Sequence, residues 1–76
     1  MTDFDRLFDE MIAHQWKRVR RAADAINPRL TDEDLAQPHD FPELIGNAEW
    51  CYEDGILAGL RSAQAAVRAH LAKNRV

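Results

Sequence analysis

The sequence predicts an all-α protein in which two long antiparallel helices form a helical hairpin. Two apolar repeats with helical spacing predict the helices, and the segment between them contains all three prolines. The charge pattern predicts their pairing, since residues 3–10, 31–43 and 49–54 are mainly acidic and residues 17–29 and 61–75 mainly basic. If the chain folds back near residue 37, each basic stretch lies beside an acidic one, which favours an antiparallel arrangement.

Helix 1 is predicted over about residues 3–26. Thr2 is its candidate N-cap, and Asp3 and Asp5 follow where the positive end of the helix dipole favours anions. Asn27-Pro28 ends the helix, because the residue before a proline avoids the α region. Apolar residues recur three and four positions apart at Phe4, Leu7, Phe8, Met11, Ile12, Val19, Ala22, Ala23 and Ile26.

The connector, residues 27–47, is predicted to contain short helical turns. Thr31 and Asp34 form the signature of a capped turn over about residues 32–36. Pro42 can open a second turn that runs through Ile45 and closes at Gly46. Apolar residues indicate that this segment packs onto the helices, and they are Leu30, Leu35, Phe41, Leu44 and Ile45.

Helix 2 is predicted over about residues 48–73, with Asn47 as its N-cap. Its predicted buried stripe consists of Ile56, Leu60, Ala63, Val67 and Leu71, and is widened by Tyr52, Leu57 and Gly59. Gly55 and Gly59 each cost about 1 kcal/mol relative to alanine inside a helix. With Ala63 one turn further, they predict a close helix contact, which could be made with helix 1, with the connector or with a second subunit.

A chain of 76 residues makes a single domain, residues 1–76, and its size predicts self-association. Domains this short bury only about 60% of the surface that their unfolded chains expose. Cys51 is the sole cysteine, so no disulfide can form within the chain. The apolar stripe on helix 1 extends from Leu7 round to Trp16, which is wider than one partner helix covers. We therefore expect a homodimer that forms a four-helix bundle.

The residues that carry chemistry are scattered, and we expect neither catalysis, nor a cofactor, nor a metal site. Glu10 and His14 are four positions apart, but neither helix contains the Glu-x-x-His motif of carboxylate bundles. No pair of nucleophile and base can be assigned. We interpret all three histidines as surface or edge residues.

Four residues near the start of helix 2 form a candidate partner-binding patch: Glu49, Trp50, Tyr52 and Glu53. Aromatic residues are enriched at protein interfaces. In the alternative interpretation, helix 2 projects past the core here and its carboxylates meet the basic end of helix 1. The sequence leaves both interpretations open.

The basic end of helix 1 raises the alternative of nucleic-acid binding, with Lys17, Arg20 and Arg21 as the outward-pointing contacts. A solvated helix face paired with Glu49, Glu53 and Asp54 explains the same residues. The net charge of −3 and the acidic stretch 31–43 oppose contact with phosphates. We therefore do not expect nucleic acid to be the main partner.

The function predicted from these observations is a small non-catalytic protein-interaction module, such as a regulator, adaptor or assembly factor, that acts as a homodimer and binds a further protein. Nucleic-acid binding and a metal or cofactor carrier built on a dimeric bundle remain the alternatives. No apolar stretch approaches the roughly 20 residues that span a bilayer. The acidic N-terminal stretch is unlike a signal peptide, so we expect a cytoplasmic protein without a membrane segment.

Overall fold

The computed structural model describes residues 2–74, and its elements follow the predicted order. The long helices are α1 (Asp3–Ile26) and α4 (Ala48–Lys73); between them lie α2 (Asp32–Ala36), a 3₁₀ turn (Pro38–Asp40) and α3 (Pro42–Ile45). The all-α prediction is confirmed for the described residues, and α1 and α4 pack side by side as a hairpin. Arg75, which belongs to the last basic stretch, lies outside the described residues.

Side-chain caps set the starts of three helices. The Thr2 hydroxyl accepts a hydrogen bond from the Asp5 N–H at 3.1 Å, and the Asn47 side chain accepts one from the Trp50 N–H at 2.8 Å. Thr31 and Asp34 form a reciprocal capping box, with bonds of 3.1 and 2.9 Å. Each bond satisfies an N–H that the helix itself cannot pair.

Polar contacts fix the antiparallel register of the two long helices. Near the start of α1, Asp5 accepts a hydrogen bond from Arg68 Nε at 2.6 Å. Asp9 Oδ1, one turn further, accepts one from Gln64 Nε2 at 2.9 Å. Towards the other end, Gln15 Nε2 donates to the carbonyl oxygen of Glu53 at 2.9 Å. The start of α1 therefore lies beside the end of α4, as the charge pattern predicts.

The hydrophobic core occupies one end of the hairpin. Its buried members are Val19, Ala23, Leu30, Leu35, Leu44, Trp50 and Leu57. The connector supplies three of these residues and covers the long helices there. We call this end the closed half (residues 15–57). The open half consists of residues 3–14 of α1 and residues 58–73 of α4, most of which the connector does not cover.

The buried side of α4 differs from the stripe predicted for it. Its buried residues are Trp50, Glu53, Leu57 and Gln64, whereas Ile56, Leu60, Val67 and Leu71 are half-buried and Ala63 is exposed. The prediction erred because alanine and glycine surround much of this helix, so apolar spacing alone does not select one side. The side that contacts α1 and the connector is buried, and Leu57 lay only at the edge of the predicted stripe.

Candidate interaction surface

The structure divides the candidate partner-binding patch. Glu49 is exposed and Tyr52 retains 69% of its accessible surface. Trp50 is only 2% exposed and belongs to the closed-half core, and Glu53 is 6% exposed. The assignment of Trp50 and Glu53 to a partner-facing surface is therefore wrong. Trp50 falls on the side of α4 that the connector covers, which its position near the helix start did not indicate.

Glu53 links α4 to α1. Its carboxylate accepts hydrogen bonds from Gln15 Nε2 at 3.2 Å and from Arg18 Nε at 2.9 Å. The Gln15 bond, followed by the bond and charge of Arg18, holds the pKa of Glu53 below its ordinary value. This contact is the one expected if the acidic start of helix 2 meets the basic end of helix 1.

Two buried glutamines connect the long helices, and the sequence pattern did not predict a role for either of them. Gln15 and Gln64 are 6% and 7% exposed, and each donates to an acidic residue of the other long helix. A signal was available, because Gln15 lies on the apolar side of α1 between Ile12 and Val19. Gln64 likewise falls seven positions after Leu57, on the same side of α4.

The basic end of α1 is largely engaged within the chain. Lys17 and Arg21 are exposed, as expected. Arg20 is half-buried and bonds to Asp24, to Asp32 at 3.2 Å and to the carbonyl oxygen of Leu30. The outward placement of Arg20 is therefore wrong, because the connector folds back onto that side of α1.

A cleft of about 260 Å³ lies between α1 and α4 in the closed half, on the side away from α2. Its lining residues are Arg18, Arg21, Ala22, Ala25, Glu49 and Glu53. Arg21 and Glu49 have no ion-pair partner within residues 2–74. The cleft thus presents both a positive and a negative group to solvent.

A second cleft, of about 300 Å³, lies beneath the connector on the other side of the hairpin. Trp16, Leu35 and Pro38 supply its apolar wall, and Asp54 and Arg61 its charged one. Burial raises the pKa of Asp54. The cleft brings a carboxyl and a guanidinium near aromatic and aliphatic surface without adding a nucleophile.

Large apolar side chains are exposed along the open half of α1. Phe4, Leu7 and Met11 retain 56%, 52% and 42% of their accessible surface. Steps of seven residues return to the same side of a helix, so Phe4 and Met11 lie on the side of Arg18, which lines the first cleft. The exposed residues therefore continue that cleft into the open half.

Gly59 and Ala63 of α4 belong to the same side of the hairpin. Ile56 and Ala63 follow Glu49 in steps of seven, and Gly59 follows Tyr52 in the same way. A Cβ placed at Gly55 or Gly59 would meet no atom within 4 Å. Close packing of these glycines against helix 1 or the connector is therefore wrong, and a second subunit is the contact that remains from the prediction.

Together, these residues form one continuous surface, which we call the apolar face: Phe4, Leu7 and Met11 from α1, and Ile56, Gly59 and Ala63 from α4. The α1 part carries large side chains and the α4 part mainly small ones. The opposite side of the open half is polar, with the Asp5–Arg68 and Asp9–Gln64 contacts. The open half is thus apolar on one side only.

The side chains that bind metals are dispersed over residues 2–74, where no three His, Cys, Asp or Glu residues come together as a site. His14, His39 and His70 are all exposed. No helix within the same residues combines the length and apolar character needed to cross a bilayer. No protein-family model, curated protein or solved structure gives a significant match to the chain.

Proposed function

We propose that the protein is a small non-catalytic protein-interaction module that acts as a homodimer, with its two hairpins forming a four-helix bundle. The observation that carries this proposal is the apolar face, where Phe4, Leu7 and Met11 are about half exposed. Exposed apolar surface of this kind marks interaction sites in soluble proteins. The role is that of a regulator, adaptor or assembly factor, which needs no chemistry of its own.

The dimensions of the hairpin support a dimer. Its principal extents are 49, 20 and 19 Å, so one long side offers an area comparable with the roughly 800 Å² that each partner buries in a standard interface. The core of a single chain is confined to the closed half. A second hairpin would cover the open half in the way that the connector covers the closed one.

Nucleic-acid binding has less support. Of Lys17, Arg20 and Arg21, the middle residue is already held by Asp24 and Asp32. Its neighbours stand near a connector rich in carboxylates, which repel phosphate. A mobility-shift assay with generic duplex DNA at physiological salt should therefore show no complex, and tight, salt-sensitive binding would restore this alternative.

Sedimentation equilibrium over the micromolar range tests the proposed function. We expect a reversible monomer–dimer equilibrium together with a concentration-dependent melting temperature. A monomer that melts cooperatively at one temperature across the whole range would refute the dimer. Exposed residues such as Tyr52 and Glu49 could then serve only a different protein.

A further inference from the structure

Resting on the proposed dimer, we infer that two copies meet through the apolar face with their hairpins pointing the same way, so that α1 of one copy lies antiparallel to α4 of the other. The two-fold axis then runs along the length of the molecule. The occupant of the apolar face is a second copy of this chain. The shape of the apolar face selects this arrangement, and the charges along the helices are compatible with it.

The shape of the apolar face is complementary to itself. Large side chains on α1, namely Phe4, Leu7 and Met11, stand beside a shallow strip on α4 that contains Gly59 and Ala63. A rotation that places α1 over the partner's α4 seats large residues on small ones. A rotation that places α1 over α1 opposes large residues to large ones and leaves a gap at Gly59, where the structure shows open space.

The charges along the long helices are compatible with this dimer. The outer edge of α1 is acidic at Asp3 and Glu10 and basic at Lys17 and Arg21. α4 is likewise acidic at its start, at Glu49, and basic towards its end, at Lys73. None of these six residues has an ion-pair partner within residues 2–74.

With α1 and the partner's α4 antiparallel, the register found within one chain applies again between the two. Asp3 then lies at the level of Lys73 of the second copy, and Arg21 lies at the level of its Glu49. The other two-fold arrangement, which places α1 over α1 with the hairpins reversed, would bring Asp3 towards Arg21 and so also joins opposite charges. Exposed ion pairs contribute little affinity, and the shape of the apolar face is what distinguishes the two arrangements.

The two-fold arrangement also assigns a contact to Tyr52. This residue is one turn from Ile56 on the same side of α4, and it remains largely exposed in one chain. In the inferred dimer it faces the Arg18–Ala22 part of the second α1, where the first cleft provides room beside a guanidinium. The exposed half of the candidate partner-binding patch is thus directed to a second copy.

Cysteine cross-linking between two different variants tests the orientation. Cys51→Ser removes the native thiol and keeps a donor for the carbonyls of Leu44 and Ile45. In that background, Met11→Cys and Ala63→Cys proteins are mixed, allowed to exchange subunits and oxidised mildly. We expect a mixed disulfide between the two variants, because the inferred dimer places residue 11 of one copy beside residue 63 of the other. A disulfide forms only when the two Cα atoms are within about 7 Å of one another. Ala13→Cys, on the exposed outer side of α1, is the control and should not cross-link to Ala63→Cys.

Each other outcome overturns the inference. A Met11→Cys homodisulfide as the main product would show that α1 packs on α1. A dimer in sedimentation that yields no mixed disulfide would show that the copies meet through another surface, while the proposed function stands. A chain that stays monomeric at all concentrations would overturn both.

A charge placed in the apolar face gives a second readout. Leu7→Glu should weaken dimerisation by more than about tenfold, because the dimer would bury an unpaired carboxylate. The monomer should keep its fold, since Leu7 is half exposed. Ala13→Glu adds the same charge to the outer side of α1 and should leave the dimer intact. Equal dimer affinity for the two variants would overturn the inference.

Discussion

The closed and open halves of the hairpin are built from the same two helices, yet they are stabilised differently. In the closed half, α2 and α3 add Leu35 and Leu44 to the side chains of the long helices, and Trp50 is enclosed. In the open half, two helices meet without a third layer. Phe8 and Ile12 of α1 are only half-buried there. The difference shows that the connector determines where one chain is sufficient for a core.

Polar contacts are distributed more evenly than apolar burial. A buried glutamine crosses between the helices in each half, Gln15 to Glu53 and Gln64 to Asp9. These bonds fix register without requiring a large core. The helices of the open half therefore have a fixed register, but their apolar side chains are incompletely covered. This is expected of a surface against which a second layer of helices can pack.

The largest contrast between the halves should appear when an aromatic residue is removed. Trp50→Ala should destabilise the chain by about 3–5 kcal/mol, because it empties a buried site in the closed half. Phe4→Ala is the matched change in the open half, and it should cost far less in the monomer. Urea unfolding followed by circular dichroism measures both. Equal losses at low protein concentration would contradict the division of the molecule into two halves.

Trp50 also offers an internal control for that experiment. Its Nε1 is buried and has no hydrogen-bond partner among the described residues. Trp50→Phe therefore loses volume but no hydrogen bond, and it should cost much less than Trp50→Ala.

Some of this contrast could be predicted from the sequence. Local signals located the helix boundaries, because Thr2, Thr31 and Asn47 act on backbone groups within three residues. The charge pattern predicted the antiparallel pairing because opposite charges attract each other between neighbouring helices. Asp5 and Arg68 form an ion pair of this kind. Burial depends on distant segments, and for that reason the placements of Trp50 and Arg20 were wrong.

The candidate surface was less predictable than the fold. Glycine spacing on α4 indicated a close contact, but it could not say which of three neighbours would make it. Only the three-dimensional arrangement shows that α1 and the connector do not contact Gly55 or Gly59. The same arrangement places Met11 and Ala63 on one side of the hairpin, which no spacing within either helix alone reveals.

An intermediate effect is expected at the helix caps. Thr31→Ala removes the hydroxyl from the capping box of α2 and should cost about 0.5–2 kcal/mol. Thr2→Ala removes the corresponding bond at the start of α1, where the end of the helix can fray locally and the global cost should be smaller. Thermal unfolding of the two variants compares them. A larger loss for Thr2→Ala would show that the open half limits stability.

Gly59→Ala should produce a smaller effect whose sign depends on association. In the dilute monomer, alanine should stabilise α4 by up to about 1 kcal/mol, since its methyl group meets open space. In the dimer, the same methyl group should crowd the facing α1 and weaken association. Unfolding at low concentration and sedimentation at high concentration separate the two effects. Gly55 lies further from the inferred dimer contact than Gly59 does. Gly55→Ala should therefore stabilise the helix without changing the affinity of the dimer.

The smallest effect should appear as a change in pH dependence within the closed half. Glu53 has a pKa below its ordinary value of 4.5 because Gln15 and then Arg18 bind its charged form. The folded chain therefore binds fewer protons than the unfolded chain, so this stabilisation is present above pH 4.5 and is lost as pH falls through the folded pKa. The Arg18 side chain is 52% exposed, so solvent screens its part of the interaction.

Glu53→Gln should consequently flatten the loss of stability on acidification, measured as urea midpoints from neutral pH down through the range where carboxylates titrate. Asp54→Asn is a neighbouring change for which the opposite pH dependence is expected. Burial raises the pKa of Asp54 above 3.8, so its stabilisation is present below that pH and is lost as pH rises through the folded pKa. Asp54→Asn should therefore be more stable than the natural chain at neutral pH. If Glu53→Gln kept the full acid dependence, the link from Gln15 and Arg18 to Glu53 would not stabilise the closed half, and its register would depend on apolar packing alone.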